Sequence, residues 1–440
     1  MGANPRAAAV AALVRQEQDG FSNLVLDAEL KRQTFDARDK AFASAIFYTV
    51  LEHRGTLDYI LEQFLPKGLA KLDAPVREIL RSALAQARYM DVPVSAAVNE
   101  AVKLTRFFKK SSASGLVNAV LRRACSFELG NATFTDDIQR LMVLGSAGPD
   151  VAAFLHKNYP EEALEILTRN ADEGSTSLRV NPLKTTVEEL AGLLTAQGVH
   201  DVRPGPVSGS LLAKFEGSPA ENEWFRKGYY HVEGQTSQLA ALCMEAQPNE
   251  IVLDLCAAPG GKTILLAEQM QNTGSLYSCD AAENRVRLIR TAVERMELTN
   301  VIPLCNDATK INSSLPKADR ILTDVPCSGL GILAKKPDLR YKKLEPARQA
   351  ELLATQSAIL DTAAQLLKPG GRLVYSTCTI DPSENQQQIK ALISRHPDFC
   401  VVTPSVKLPA GMSVSEYGVL SVPSRTGMDG FFLCAMQKAH

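Results

Sequence analysis

The chain lacks the cysteine and histidine patterns that build disulfide-stapled domains and zinc sites. Its nine cysteines include no C-x-x-C pair, and its six histidines include no H-E-x-x-H arrangement. Spacing therefore supports neither a disulfide framework nor a metal site. The start of the chain also lacks a cationic segment followed by an apolar run, the pattern of a secretion signal. We expect a cytoplasmic protein in a reducing environment, with no bound metal.

Long apolar runs and a charge excess are missing as well. No window approaches 18 consecutive apolar residues, so no membrane span is predicted. Lysine and arginine total 48 against 49 aspartates and glutamates, a formal net charge of -1. That balance argues against a uniformly basic nucleic-acid binder but says nothing about local patches. The 440 residues are 45% hydrophobic and 22% charged, which predicts a folded chain of about three domains.

The N-terminal part of the chain, to about residue 128, has the apolar spacing of amphipathic helices. Pro75 suits a helix start, and the apolar residues after it recur at steps of three and four: Val76, Ile79, Leu80, Ala83 and Leu84. The segments 36–65 and 95–108 have similar periodicity. We therefore predict an all-helical domain over residues 1–135, with a polar linker or capping turn at 130–148.

A basic stretch, residues 101–123, lies within this helical region. It contains no acidic residue and six cationic ones: Lys103, Arg106, Lys109, Lys110, Arg122 and Arg123. One interpretation is a solvated helix face, which is the commoner role of a charge run. The other is a surface that contacts RNA phosphates, with Phe107 and Phe108 as stacking groups, although adjacent phenylalanines are more often core residues.

Residues 150–235 predict a small α/β segment. A short strand is predicted at 177–181, and Thr186 with Glu189 has the spacing of a capping box before an apolar helix.

Residues 236–440 alternate short apolar runs with segments of helix length. The runs span residues 251–256, 275–280, 301–307, 320–324 and 372–378. This βαβ alternation predicts a Rossmann-like, mostly parallel sheet, whose ligand lies at the carboxyl ends of the strands.

The first of these runs leads into a glycine-containing turn, Cys256-Ala-Ala-Pro-Gly-Gly-Lys-Thr263. Such a turn lets backbone N–H groups and a helix N-terminus approach a ligand closely. One interpretation is a P-loop NTPase, because Gly261-Lys262-Thr263 fits its end and Asp324 could serve as the Walker B aspartate. Cys256, however, stands where that motif has its first glycine.

The other interpretation is a site for an adenosyl cofactor. Asp280 ends the second run, 19 positions after Gly261, close to the spacing of about 20 for an acidic residue that binds ribose hydroxyls. Asp307, at the end of the third run, could receive the adenine amine. A strand-end aspartate is often only a helix cap, but three at successive strand ends, with Asp324, favour the cofactor site.

Two cysteines, Cys327 and Cys378, follow the fourth and fifth runs and should come together near the glycine-containing turn. A thiolate that adds to C6 of a pyrimidine turns C5 into a nucleophile for an electrophilic methyl group, and a nearby carboxyl group such as Asp324 can absorb the charge. Spacing alone does not say which thiol attacks. The other cysteines are interpreted as small buried hydrophobes.

Five segments in this order resemble the Sun/Nop family of RNA cytosine-C5 methyltransferases: 254–262, 324–329, 376–379, 384–385 and 429–432. The helical N-terminal region looks like the NusB RNA-binding fold. The resemblance implies S-adenosylmethionine as the cofactor, held by Cys256, Ala257, Ala258, Pro259, Gly260, Gly261 and Lys262, with Asp280, Asp307 and Asp324 at the same site.

The resemblance also implies catalytic roles. Cys378 would be the nucleophile and Cys327 would assist release of the methylated RNA, while Lys262 and Asp324 would belong to the active-site network. The implied substrate is a cytidine of 16S ribosomal RNA, and we expect a monomer. The chain departs from the family pattern at Val325, at Leu330 and in the loose segment 234–237.

A second basic segment, residues 331–343, corresponds to a part of the family that lies near RNA. It holds one acidic residue, Asp338, against five cationic ones: Lys335, Lys336, Arg340, Lys342 and Lys343. Two interpretations of this segment stay open: a surface that contacts RNA phosphates, and a solvated loop. Two other functions also remain open for the whole chain: a P-loop-like NTPase, and a non-enzymatic RNA-binding or antitermination factor built on the helical domain.

Overall fold

The computed structural model describes residues 4–19, 22–32, 34–169 and 171–440. The chain divides into two compact units: Met1–Thr168 with Leu333–Leu344, and Arg169–Ile332 with Glu345–His440. Within the described ranges, no helix is long and apolar enough to cross a membrane.

The first unit is helical. Its helices are α1 (Pro5–Asp19), α2 (Ser22–Lys31), α3 (Ala37–Glu62), α4 (Ala74–Tyr89), α5 (Val94–Phe107), α6 (Ser114–Ala124), α7 (Asp137–Leu144), α8 (Pro149–Asn158) and α9 (Ala163–Thr168). The apolar face predicted on α4 is confirmed, because Ile79, Leu80 and Leu84 are fully buried in the core of the unit. Pro75 lies in the first turn of α4, where its missing N–H costs nothing.

Residues 130–148 are not a simple linker, and that prediction is wrong. The helix α7 begins there because the Asp136 carboxylate accepts the N–H of Gln139 at 2.7 Å, which satisfies a free donor of the first turn. Its apolar side chains Leu141 and Val143 are buried. The Thr56 hydroxyl on α3 donates to the Val143 carbonyl at 2.5 Å and fixes the end of the helix.

Residues 333–344 belong to the first unit and contain a 3-10 turn over Pro337–Tyr341. Arg340, one of the five cations of the second basic segment, is only 4% exposed and donates to the carbonyls of Leu333 and Glu52 at 3.1 and 3.0 Å. The Tyr341 hydroxyl accepts the Gly55 N–H at 3.1 Å. Arg340 is therefore a structural residue, since its guanidinium serves to satisfy buried carbonyl groups.

The second unit begins with a small antiparallel sheet in the order β2-β3-β1-β4. Its elements are β1 (Thr176–Val180), α10 (Val187–Ala196), β2 (His200–Pro204), β3 (Ser210–Lys214), α11 (Glu223–Arg226) and β4 (Tyr230–Val232). The predicted strand is confirmed. The predicted cap is also present, because the Thr186 hydroxyl accepts the Glu189 N–H at 3.1 Å.

The rest of the second unit is a large sheet flanked by helices. The strands are β5 (Ile251–Asp254), β6 (Ser275–Asp280), β7 (Val301–Cys305), β8 (Ala318–Asp324), β9 (Leu367–Thr377), β10 (Phe399–Val401), β11 (Ser413–Ser415), β12 (Gly418–Ser421) and β13 (Phe431–Lys438). The helices are α12 (Gln235–Leu242), α13 (Gly261–Gln269), α14 (Glu283–Arg295), α15 (Pro346–Leu366), α16 (Gln386–Arg395) and α17 (Pro423–Thr426).

The strand order places a ligand crevice beside β5. The order is β11-β12-β13-β9-β8-β5-β6-β7, with β5 to β9 parallel and β13 antiparallel to β9. The chain builds outward from β5 through β6 to β7 and then returns to the other side of β5. At such a switch point the loops after neighbouring strands part and leave a crevice. The predicted Rossmann-like sheet is confirmed.

Candidate active site

The turn after β5 forms one wall of a cavity at this crevice. Gly260 has a φ of +110°, a conformation that favours glycine, and α13 begins at the next residue. The cavity has a volume of about 220 Å³. It is lined by Val232, Glu233, Gly234, Ser237, Asp254, Cys256, Ala257, Ala258, Pro259, Gly261, Lys262 and Asp324.

Seven of the ten residues predicted to hold the cofactor line this cavity, and Gly260 lies in the same turn. Asp280 and Asp307 are not among the lining residues. The Asp280 carboxylate is buried and pairs with Arg285 at 3.2 Å, while the half-exposed Asp307 accepts the Thr309 hydroxyl at 2.6 Å. Both lie near the carboxyl ends of neighbouring strands, β6 and β7, as the sequence predicted.

Lys262 and Asp324 form an ion pair on the cavity wall. Lys262 Nζ lies 2.8 Å from Asp324 Oδ2, and Asp324 Oδ1 accepts the Ser376 hydroxyl at 2.7 Å. Burial alone would lower the pKa of Lys262, but the carboxylates of Asp324 and Glu233 raise it to about 12. The lysine therefore keeps its positive charge beside a carboxylate at neutral pH.

The same geometry argues against a P-loop. In that motif the lysine reaches nucleotide phosphates and the following hydroxyl binds Mg²⁺. Here Lys262 is paired with Asp324. The Thr263 hydroxyl is fully buried and donates to Asp254 at 2.8 Å, with Ser278 Oγ at 2.7 Å. Neither side chain is available for a triphosphate.

Cys327 and Cys378 lie together at the carboxyl ends of β8 and β9. Their sulfur atoms are 3.0 Å apart, and both are free thiols. The register explains the approach, because Asp324 pairs with Ser376 across the two strands and each cysteine follows within three residues. The hydrogen bond with Cys378, burial, and the nearby Glu384 and Asp324 raise the pKa of Cys327 well above its ordinary value. Cys327 is thus held as a neutral thiol.

Glu384 and Asn385 hold the two cysteine loops, a role that the sequence did not reveal. Glu384 Oε2 accepts the Ser328 N–H at 2.9 Å, next to Cys327. Asn385 Oδ1 accepts the Thr377 hydroxyl at 2.6 Å, and its amide donates to the Thr379 carbonyl at 3.0 Å. These bonds brace the residues on both sides of Cys378. Their only signal in the sequence is the Glu-Asn pair in the family resemblance.

Two glycines allow the backbone behind the thiols to pack closely. The Gly331 N–H donates to the Cys378 carbonyl at 3.0 Å, and the Gly430 N–H donates to the Gly331 carbonyl at 2.8 Å. A Cβ atom on Gly331 would lie 1.9 Å from the Gly430 carbonyl oxygen. No side chain fits there, so the loop after Cys327 can approach β13 only with glycine.

Glu233 is a cavity residue that sequence reasoning missed. It follows β4, and its Oε1 accepts the Ser237 hydroxyl at 2.9 Å. A Cβ atom on Gly261 would lie 3.1 Å from the same oxygen. The only signal near it was the loose segment 234–237, because the sequence does not reveal that the end of the small sheet reaches the glycine-containing turn.

The sheet is doubly wound, and its first strand leads through a glycine-containing turn into a helix beside a cavity. This arrangement is that of a Rossmann-like enzyme with a nucleotide-type cofactor. Comparison with known proteins identifies the family within this class of enzymes. Residues 241–437 match the 16S rRNA methyltransferase RsmB/F family, residues 3–126 match the NusB family, and residues 152–212 match an RsmF/B-like ferredoxin-like domain.

Similarity also extends over whole chains. The probable ribosomal RNA small subunit methyltransferase B of Bacillus subtilis is 33% identical, covering 98% of each chain. The ribosomal RNA small subunit methyltransferase B of Vibrio cholerae is 32% identical, covering 99% of this chain and 98% of the relative. A crystal structure of PH0851 is 28% identical, with a TM-score of 0.82 over 100% of both chains.

The chain belongs to the RsmB/F family of 16S rRNA methyltransferases. Its methyl donor is S-adenosylmethionine. The cavity fits that cofactor in its chemistry, because the glycine-containing turn and the carboxylates of Glu233 and Asp324 line it, and the cofactor is cationic. The family resemblance is confirmed. A P-loop NTPase or a purely RNA-binding factor would not explain why residues 241–437, which form nearly all of the large sheet and its helices, match a methyltransferase family.

Proposed function

We propose that the enzyme methylates C5 of a cytidine in 16S ribosomal RNA through a covalent bond between Cys378 and C6 of the base. The observation that carries the proposal is the pair of thiols, 3.0 Å apart, at the strand ends beside the cofactor cavity. A methyltransferase that acts on an amine or hydroxyl group needs no such pair, whereas C5 of cytosine is too weak a nucleophile without a thiolate adduct.

The assignment of Cys378 as the nucleophile follows the family resemblance, in which the cysteine after the threonine attacks the base. Cys327 lies 3.0 Å from it, where a neutral thiol could donate a hydrogen bond to the attacking thiolate. The new S–C6 bond places negative charge on the ring, and the electron pair at C5 takes the methyl group. S-adenosylmethionine supplies that electrophilic methyl group when it is bound.

The charged pair and the second thiol have roles in the remaining steps. Asp324, held by Lys262 and Ser376, would contact the N3 and amine edge of the cytosine. A proton on its carboxyl group would pass to N3 as negative charge develops on the ring. A base must then take the C5 proton, so that the electron pair of that C–H bond re-forms the C5–C6 double bond and Cys378 leaves as a thiolate. Cys327, beside the sulfur of Cys378, would assist that release. The base must leave its stack to reach the thiols, so we expect a locally unpaired substrate.

The domain boundaries, the oligomeric state and the cellular location stay predictions. We propose a helical RNA-binding domain over residues 1–135, a small α/β segment over 150–235 and a catalytic domain over 236–440, acting as a monomer in the cytoplasm. We also propose that Asp280 binds the ribose hydroxyls of the cofactor and that Asp307 accepts a hydrogen bond from its adenine amine.

The test replaces each thiol in turn. Cys378→Ala should abolish methylation of 16S ribosomal RNA, because no S–C6 bond can form, whereas Cys327→Ala should accumulate a covalent protein–RNA adduct. Denaturing electrophoresis and mapping of 5-methylcytosine measure these outcomes. Cys400→Ala is the matched control, because Cys400 is an exposed thiol on β10, and it should methylate normally. Methylation by Cys378→Ala, or an adduct in that variant, would contradict the assignment.

A further inference from the structure

We propose that Glu233 binds the α-ammonium group of the methionine part of S-adenosylmethionine. This inference rests on the cofactor and is independent of which base the enzyme methylates. S-adenosylmethionine carries two cationic centres, the sulfonium and the ammonium. Of these, only the ammonium has N–H donors, so a carboxylate with free acceptor capacity is matched to the ammonium.

The cavity has three carboxyl groups on its wall, and two of them are already engaged or neutralised. Asp324 is paired with Lys262. Asp254 is fully buried, and burial raises its pKa to about 7 despite the hydrogen bond from Thr263. Glu233 is left as the carboxylate that can offer a full negative charge to a ligand.

Glu233 carries that charge in a buried position. Burial alone would raise its pKa, but the hydrogen bond from His231 and the nearby Lys262 lower it below the ordinary value. Within the described ranges, its only ion-pair partner within 4 Å is His231, whose Nε2 lies 3.2 Å from Glu233 Oε2. Among the described residues the carboxylate has no lysine or arginine within 4 Å, so a ligand cation in the cavity would be its first permanently charged partner at ion-pair distance.

The two carboxylate oxygens also keep acceptor capacity. Oε1 accepts one hydrogen bond, from Ser237, and Oε2 has one partner, His231. Each carboxylate oxygen can accept about two hydrogen bonds. Oε1 lies against Gly261, in the turn that resembles the cofactor-binding segment of the family, where a Cβ atom would come within 3.1 Å of it. A cation bound there would touch both the carboxylate and the turn.

The experiment compares three ligands on the variant Glu233→Gln by calorimetry. S-adenosylhomocysteine keeps the ammonium but lacks the sulfonium charge, and 5′-methylthioadenosine lacks the whole amino-acid part. We expect the Kd of S-adenosylmethionine and of S-adenosylhomocysteine to rise by a similar factor, about tenfold to a hundredfold. The Kd of 5′-methylthioadenosine should stay unchanged, which also shows that the variant is folded.

Three outcomes of the Glu233→Gln comparison would overturn the proposal, and a fourth could come from its control. Equal weakening of all three ligands would mean that the substitution deforms the cavity. Loss for S-adenosylmethionine alone would assign the carboxylate to the sulfonium, and no loss for any ligand would remove it from the site. Glu268→Gln is the control, because Glu268 lies 4.0 Å from the same histidine but outside the cavity lining. If Glu268→Gln changes the three Kd values in the same way as Glu233→Gln, the loss of affinity comes from disturbing the buried groups around His231 and not from a lost contact with the ammonium. Because only binding is measured, failure here leaves the cytosine-C5 proposal untouched.

Discussion

Asp254 shows how burial changes the behaviour of a single side chain. It ends β5 with no exposed surface, and within the described residues its Oδ1 has no hydrogen-bond partner. Desolvation disfavours the charged carboxylate and raises its pKa from 3.8 to about 7, although Thr263 and Lys262 oppose the shift. The folded protein therefore binds a proton that the unfolded chain releases at a lower pH.

This shift predicts a pH dependence of stability. Because the pKa is higher in the folded state, the wild type should lose stability as pH rises from about 4 to 7. Asp254→Asn, which cannot ionise, should escape this loss. We expect the free energy of unfolding of Asp254→Asn relative to wild type to increase by about 1–4 kcal/mol between pH 5 and 8, as measured by denaturant titration.

The control for this prediction is Asp307→Asn. Hydrogen bonds from Thr309 and Lys310 lower the pKa of Asp307, so its titration lies below pH 5 in both states. Its difference from wild type should not change between pH 5 and 8. An Asp254→Asn difference that is flat, or that falls with pH, would show that the carboxylate is ionised in the folded protein.

The sequence predicts some residues well and others not at all. Cys327 and Cys378 could be placed together because each follows a recognisable strand, and parallel strands bring their ends to one edge. Glu233 could not be placed, since its position depends on a separate sheet meeting the glycine-containing turn. The buried state of Arg340 was equally hidden, because a loop of mixed charge carries no sign of which cation is covered.

At the scale of elements, the strands were more predictable than the packing between them. Short apolar runs identified β5, β6, β7, β8 and β9, since buried parallel strands read as continuous apolar segments. The antiparallel return of β13 against β9 and the helix α7 did not follow from such runs. The close contact behind the thiols arises from these distant elements, because Gly331 after β8 meets Gly430 before β13.

That contact predicts a sharp effect of one methyl group. Gly331→Ala would place Cβ 1.9 Å from the Gly430 carbonyl oxygen, so the loop after Cys327 must move relative to Cys378. We expect methylation to fall by at least about tenfold, because an error of about 1 Å at a reacting group costs up to a hundredfold. Single-turnover methylation measures the effect.

The matched substitution is Gly192→Ala in α10. No atom beyond its chain neighbours and its own helix backbone lies within 4 Å of the added methyl group there, and alanine should stabilise the helix by about 0.5–1 kcal/mol. Its methylation rate should equal that of the wild type. If Gly331→Ala also behaves like the wild type, the separation of the two thiols does not depend on this contact.

At the scale of the whole molecule, the net charge of -1 is an average that hides local excess. Two cations in the basic stretch 101–123 are paired, Lys103 with Glu100 and Lys110 with Asp73. Arg106 and Lys109 are exposed and form no ion pair within the described part of the chain. Phe107, 40% exposed, lies beside them. Exposed cations beside an exposed aromatic ring are the groups that contact the phosphates and bases of single-stranded RNA.

We predict that this face contributes to RNA binding. The double variant Arg106→Glu/Lys109→Glu should weaken affinity for 16S ribosomal RNA by about tenfold at low salt and reduce the slope of log affinity against log salt by about 1–2. Filter binding across salt concentrations measures both. Arg38→Glu/Lys40→Glu, at exposed positions in α3, makes the same change in charge and should bind nearly as wild type. Equal losses in both variants would indicate a general charge effect.

Because the segment Leu333–Leu344 belongs to the first unit, no single cut in the chain separates the two units. The polypeptide passes from one unit to the other three times, after Thr168, after Ile332 and after Leu344. A nick near residue 169 would cut one of these connections. The helical fragment would still bind the segment Leu333–Leu344 through the hydrogen bonds of Tyr341 and Arg340 to its backbone. The first half expressed alone would lack this segment, and the second half alone would expose it, so the two fragments should be produced together and tested for complementation.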